Sequence, residues 1–122
     1  MLTGVVIAES LHTDAQLDGK VINIARVTRV AVEDAGNGQP PVWTLLEFEA
    51  DEAHTESLAE QLAAALDATG ACYVDFHSAD QSFIVFAGNV VRYRRGEADG
   101  RREAERYARS IGVPDSQLDW RV

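Results

Sequence analysis

Alternation of apolar and polar residues is the feature that most constrains the fold of this chain. In the segment 42–50, Val42, Leu46 and Phe48 fall on one parity and Glu47 and Glu49 on the other. The segment 72–78 repeats the pattern, with Cys72, Val74 and Phe76 alternating with Tyr73, Asp75 and His77. Because successive side chains of a strand point to opposite faces, both segments predict strands with one buried and one solvated face.

Three further segments predict strands, at residues 4–11, 21–33 and 81–94. The second is rich in β-branched residues, but Arg26 falls on its apolar parity, so we expect a β-bulge near Ala25–Val27. Ala87-Gly88-Asn89 interrupts the third segment, and we expect a bend or bulge there. The segment 34–41 contains two glycines and two prolines, which predicts a turn.

Two segments predict helices. Leucines and alanines recur at helical spacing between residue 58 and Gly70, which suits a C-terminal stop. Ser57 with Glu60 fits a capping box, and Asp51 is a second possible N-cap. The other helix is expected over residues 100–111, where the apolar stripe has the spacing i, i+3, i+4 and i+7.

The predicted order is β-β-β-α-β-β-α within a single α+β domain, residues 1–122. Short turns between strands indicate antiparallel pairing. We therefore expect a two-layer sandwich, in which a mainly antiparallel sheet of about five strands carries two helices packed on one face. The other face would carry polar side chains and stay open to water or to another subunit.

Charge and cysteine content exclude several classes of protein. The 122 residues carry 11 basic and 20 acidic side chains, a net charge of -9, which disfavours binding to nucleic acid. No apolar run is long enough to span a bilayer, no secretory signal is recognisable, and the single cysteine cannot form an intramolecular disulfide. A cytoplasmic protein without membrane association is expected.

An acidic stretch, residues 47–60, contains no basic side chain. It predicts either an ordinary solvated face or a surface that docks a basic partner. We expect a non-catalytic protein-binding module, an accessory or inhibitor protein. Its predicted partner-binding residues are Trp43, Glu47, Glu49, Asp51 and Glu52. Trp43 and Trp120 would each cover a core edge or anchor an interface.

A second hypothesis is a small-molecule site or small enzyme on the open sheet face. Tyr73, Asp75 and His77 share one strand face, so Asp75 could orient His77 as a general base and Tyr73 could donate a proton. Arg92 or Arg94 on a neighbouring strand would hold an anion. The same residues are also ordinary on a solvated strand. A third hypothesis makes this open face a homodimer interface.

No cofactor or metal is predicted. The sequence has no phosphate-binding glycine loop, no GxSxG and no HExxH motif. Glu47, Glu49 and Asp51 lie near His54, but alternate carboxylates of a strand are too far apart to bind one ion easily. Cys72 is expected to be a small core residue rather than a nucleophile.

The second half of the chain resembles small actinomycete-type bacterial proteins with no assigned function. The resemblance lies in Cys72–Phe76, Val85–Gly88, Val91–Gly96 and Gln117–Trp120. It implies a stand-alone bacterial protein and assigns no catalytic residues.

Overall fold

The computed structural model describes residues 1–33, 40–118 and 120. Its strands are β1 (Leu2–Ile7), β2 (Asn23–Ala31), β3 (Val42–Ala50), β4 (Val74–His77), β5 (Gln81–Phe86) and β6 (Asn89–Arg94). Its helices are α1 (Thr55–Ala65) and α2 (Ala98–Ser110). Short 3-10 turns occupy Ala8–Ser10, Glu52–His54 and Asp115–Gln117. Most of the predicted turn, residues 34–39, lies outside the described residues.

The described strands form one sheet in the order β2-β3-β1-β4-β5-β6, and every neighbouring pair is antiparallel. The predicted α+β class with an antiparallel sheet and two helices is therefore confirmed. The sheet has six strands rather than five, because the expected bend is a complete hairpin turn. Gly88 adopts a φ of 72° there, which glycine reaches without strain, and Phe86 pairs directly with Asn89.

The β-bulge predicted in the second strand is confirmed. The pairing of β2 with β3 shifts register between Ile24 and Arg26, and Arg26 then lies opposite Glu47. One extra residue in β2 turns each following side chain of the strand to the face opposite to the one that strict alternation would give. As a result, Val30 shares a face of the sheet with its partner Trp43.

The two helices pack on opposite faces of the sheet, and the prediction of one shared face is wrong. Phe83 and Val85 of β5 belong to the core under α1, whereas Ile84 and Phe86 belong to the core under α2. Since all four side chains are buried, both faces of β5 need a cover. We call these faces the α1 face and the α2 face.

The core under α1 is built around a glycine. Gly4 of β1 lies between Phe48 of β3 and Phe76 of β4, whose rings meet edge-on with centroids 6.4 Å apart. Phe76 stacks in turn on Phe83, at 4.6 Å. A Cβ atom on Gly4 would lie 2.8 Å from the Phe48 ring and 2.7 Å from the Cβ of Phe76. Only glycine leaves room for both rings.

The core under α2 is completed by Val113, Leu118 and Trp120 of the C-terminal segment. Arg101 of α2 holds this segment by donating to the carbonyls of Leu118 and Trp120, at 3.2 and 2.5 Å. The Trp120 side chain is 3% exposed and packs edge-on against Tyr73, with centroids 5.1 Å apart. Trp120 therefore covers a core edge, one of its two predicted roles.

The start of α1 differs from the predicted capping box. Asp51 accepts a hydrogen bond from the Ala53 N–H at 2.8 Å and caps the 3-10 turn that leads into the helix. Ser57 lies inside α1, so the prediction that it caps the helix is wrong. Neither α1 nor α2 is long and apolar enough to cross a membrane.

Replacing Gly4 by alanine should destabilise the protein by about 1–3 kcal/mol, because the added methyl group overpacks the core between two phenylalanines and a strand backbone. Urea denaturation followed by circular dichroism measures the change. Gly19→Ala is the matched control, since a Cβ there meets nothing within 4 Å. Equal unfolding midpoints for the two variants would contradict this account of the core.

Candidate functional site

In the part of the chain that the structure describes, no helix covers half of the α2 face. The helix packs over β5 and β6 together with Val113, Leu118 and Trp120, while the side chains of β1 to β4 on this face are not part of that core. We call these side chains the open half. Antiparallel partners project to the same side, so they form rows across the strands. One row consists of Arg26, Glu47, Val5 and Asp75, and the next consists of Thr28, Leu45 and Ile7.

A groove of about 900 Å³ lies over one end of the open half. Its floor is apolar and comprises Val5, Ile7, Val30, Trp43 and Leu45. One wall is the loop between α1 and β4, and another is the turn Asp115–Gln117. Pockets of this size and apolar character are typical of binding sites.

The charged side chains that line the groove have a single sign. Its charged lining residues are Glu9, Glu33, Asp67 and Asp75, and no basic residue lines it in the part of the chain that the structure describes. Hydrogen bonds from the hydroxyl and the N–H of Thr69 lower the pKa of Asp67. The groove therefore favours a ligand that is apolar and, where charged, cationic.

Glu9 supplies hydrogen-bond acceptors to β3 just beyond the end of β1. Its carboxylate accepts hydrogen bonds from the N–H and the hydroxyl of Thr44, at 2.5 and 2.8 Å, at the point where β3 no longer pairs with β1. Desolvation alone would raise the pKa of Glu9, but the two Thr44 hydrogen bonds, a hydrogen bond from the Glu9 backbone and the charge of Arg29 together lower it. Glu9 is thus a structural carboxylate at the rim of the groove.

A histidine near Asp67 links the segment after β1 to the end of α1. The ring nitrogens of His12 lie 2.7 Å from the carbonyl oxygen of Thr13 and 2.8 Å from that of Ala64 at the end of α1. A neutral imidazole has only one N–H, so both contacts are hydrogen bonds only in the imidazolium form. These two carbonyls, followed by Asp67 and Asp14, raise the pKa of His12.

The predicted ligand-binding residues are only partly brought together. Tyr73 and Asp75 line the groove, and the Tyr73 hydroxyl donates to the carbonyl of Gln117. His77 lies outside the groove, with its Nε2 3.2 Å from the Thr3 hydroxyl. Of the predicted general base His77 and its partner Asp75, only Asp75 therefore lines the groove.

The predicted grouping of Arg92 and Arg94 with these residues is wrong. Both arginines project from the α1 face of β6, on the far side of the sheet. Arg92 is 2.5 Å from the Glu56 carboxylate of α1 and lies over the Phe83 ring at 4.9 Å. The grouping was wrong because residues 81–94 were predicted as one strand. They form β5 and β6, and β6 is not a neighbour of β4 in the sheet.

Three of the predicted partner-binding residues lie on β3, and the other two follow its end. Trp43 lines the groove and donates its indole N–H to the Pro40 carbonyl at 2.9 Å. Glu47 and Glu49 share its face, about 13 and 20 Å farther along the strand. Asp51 caps a turn, as described above, and Glu52 lies 2.8 Å from the N-terminal ammonium group. Trp43, Glu47 and Glu49 thus lie on the open half, whereas Asp51 and Glu52 serve the local structure.

Sequence reasoning missed the apolar floor of the groove, although one signal was present. Trp43, Leu45 and Leu46 place apolar side chains on both parities of β3, so its first half is apolar on both faces. Neither of the two described helices lies above one of those faces. An apolar strand face without a cover is typical of an interaction surface.

The single cysteine also lines the groove. The Cys72 sulfur lies 3.8–3.9 Å from the carbonyl oxygens of Ser10, Asp67 and Gly70. Burial, followed by the charge of Asp67, raises the pKa of the thiol to about 11. Cys72 is therefore a protonated thiol at neutral pH and not an activated nucleophile.

His12→Ala should destabilise the protein more in weak acid than in weak base. The pKa of His12 is raised by folding, so its stabilisation is complete below the unfolded value of about 6.5 and is lost as pH rises through the folded value. Denaturation of both proteins at about pH 5.5 and about pH 8.5 measures this difference. A destabilisation that does not change with pH would contradict the imidazolium contacts.

Cys72 should react slowly with a thiol reagent in the folded protein. At about pH 8, a rise of the pKa from 9.0 to about 11 reduces the thiolate fraction on the order of 100-fold. The rate of reaction with an aromatic disulfide, measured in buffer and in denaturant, tests this expectation. Similar rates in the two solvents would show that the thiol is neither buried nor held protonated.

No family model, curated protein or solved structure matches this chain. Within the described part of the chain, no three His, Cys, Asp or Glu side chains are grouped so that they could hold a metal ion. The functional argument therefore rests on the groove, its charges and the rows of side chains beside it.

Proposed function

We propose that the protein is a non-catalytic binding module that holds an apolar segment of a basic protein partner in the groove of the open half. The observation that carries the proposal is the pairing of an apolar floor with an all-acidic rim. Apolar burial would supply affinity, and the carboxylates would select for positive charge.

The overall charge supports a basic partner. A net charge of -9 attracts positively charged proteins over a distance of several ångströms and repels acidic ones. Glu47 and Glu49 continue the negative surface beyond the groove on the same face of β3. A partner that covers the open half would therefore contact an apolar end and an acidic end.

The chemistry of the groove supports binding rather than catalysis. The Tyr73 hydroxyl already donates to a backbone carbonyl, and His77 lies outside the groove. The Cys72 thiol has a pKa of about 11. These groups are poorly suited to acid–base or nucleophilic work at neutral pH.

A small apolar cation is the second candidate ligand, because the groove volume of about 900 Å³ falls within the range of small-molecule sites. The anion-binding alternative loses its support, since Arg92 and Arg94 project from the other face of the sheet. A homodimer through the open half stays a prediction. Sedimentation of the free protein at micromolar concentration would distinguish a dimer from a monomer.

A peptide selection tests the proposed function. Random peptides displayed on phage are selected on the wild-type protein, and the enriched peptides are titrated against Leu45→Asn. We expect peptides that combine apolar and basic residues, and a dissociation constant at least about tenfold higher for the variant, because a Leu side chain contributes about 1.5–3 kcal/mol when buried.

Val27→Asn is the matched control. Val27 lies on the same hairpin but projects from the α1 face and is 59% exposed. Peptide binding to this variant should equal that of the wild type. Enrichment of acidic peptides, or equal binding to all three proteins, would overturn the proposed function.

A further inference from the structure

We propose that a strap controls the groove, and that Arg101 of α2 is the positioning residue that keeps this strap in place. The strap is the segment that follows α2, of which residues 113–118 and Trp120 are described. While the strap is docked, the groove is complete and binds its partner. When the strap is released, the groove loses a wall. The inference rests on the proposed function, because it assigns a regulation to the same site.

The strap forms part of the groove. Ser116 and Gln117, in its 3-10 turn, line the groove together with Tyr73. The Tyr73 hydroxyl donates to the Gln117 carbonyl, and the Tyr73 ring packs edge-on against the ring of Trp120. Release of the strap would therefore remove two lining residues and free the side chain of a third from both of these contacts.

Two arginines of α2 hold the strap at different points. Near its beginning, the Nε of Arg109 donates to the Asp115 carboxylate at 2.9 Å. Near its end, Arg101 donates to the carbonyl oxygens of Leu118 and Trp120, as described above. The Arg101 side chain is 22% exposed and that of Arg109 is 52% exposed. Because water screens the Arg101 contacts less, we assign the main hold on the strap to Arg101.

Glu105 orients both arginines. It lies one helical turn from each of them, and its carboxylate oxygens are 3.7 Å from the Nε of Arg101 and from an Nη of Arg109. With its Nε toward Glu105, Arg101 keeps both Nη groups for the two carbonyls of the strap. This division uses the planar fork of donors that a guanidinium has and a lysine ammonium lacks.

The strap can move without disruption of the sheet. None of its described residues belongs to a strand, and its one regular element is the turn Asp115–Gln117. It leaves α2 through Gly112, which adopts a φ of 94°, a conformation that glycine reaches without strain. Segments outside the strand pairing open at a lower free energy than the core strands of a sheet. The strap is thus a separate structural unit that side chains of α2 hold against the groove.

The charge and the position of Arg101 predict opposite effects of its loss. Arg101→Gln changes the net charge from -9 to -10, which alone should strengthen the binding of a basic peptide. Release of the strap should weaken the same binding. Arg102→Gln is the matched control, because it removes the same charge from the next position of α2, where the side chain pairs with Asp99.

The probe is the synthetic peptide acetyl-Leu-Lys-Leu-Lys-amide, which is apolar and basic. It is titrated by NMR into the wild type, Arg101→Gln, Arg101→Lys and Arg102→Gln, with the indole N–H signals of Trp43 and Trp120 as reporters of groove and strap. We expect Arg101→Gln to bind about fivefold more weakly, with faster solvent exchange of the Trp120 indole proton in the free protein. Arg101→Lys should lie between this variant and the wild type, and Arg102→Gln should bind at least as tightly as the wild type.

The outcomes separate the inference from the proposed function. Faster exchange at Trp120 in Arg101→Gln without weaker peptide binding would overturn the control by the strap and leave the groove in place. Unchanged exchange at Trp120 would show that Arg101 does not hold the strap, and would also overturn the inference alone. A peptide that does not bind the wild type would overturn the proposed function and the inference with it. If Arg101→Gln does not fold, Arg109→Gln, which has the same change of charge and breaks an exposed contact, carries the same test.

Discussion

The structure depends on one strand that is apolar at successive positions. Phe83 to Phe86 of β5 are all buried, so they require a cover on each face of the sheet. The leucines of α1 cover one face, and the alanines of α2 with Trp120 cover the other. Small residues let α2 approach closely: a Cβ on Gly100 would lie 2.2 Å from the Cβ of Tyr93.

The packing of the two helices on opposite faces of the sheet explains why the groove is apolar. Because α2 packs over β5 and β6, no helix of the described residues covers the same face of β1, β2 and β3. The first half of β3 is nevertheless apolar there, and the bulge in β2 turns Val30 toward the same side. The outcome is an apolar groove bordered by carboxylates, a surface suited to a partner rather than to a second core.

The strength of each local pattern decides how far the sequence predicts the structure. The bounds of β3, the bulge at Arg26 and the antiparallel sheet follow from alternation within single segments. The face of the sheet on which α2 packs could not be predicted from these patterns, because it depends on contacts between segments that are distant in the sequence. The hairpin at Gly88 was read as a bend, which also led to the wrong grouping of Arg92 and Arg94 with Asp75. For the candidate site, the sequence predicted Trp43, Tyr73 and Asp75 as binding residues, but the groove that they line draws residues from four strands, β1 to β4.

Hydroxyl-radical footprinting of the protein, free and with a selected basic peptide, tests the central claim most directly. The two tryptophans serve as internal references, since Trp43 lies in the groove and Trp120 is buried under α2. The account predicts that Trp43 and Leu45 are oxidised in the free protein and protected by the peptide, while Trp120 and Val27 do not change. Protection of Val27 with an unchanged Trp43 would place the binding surface on the α1 face and contradict the account.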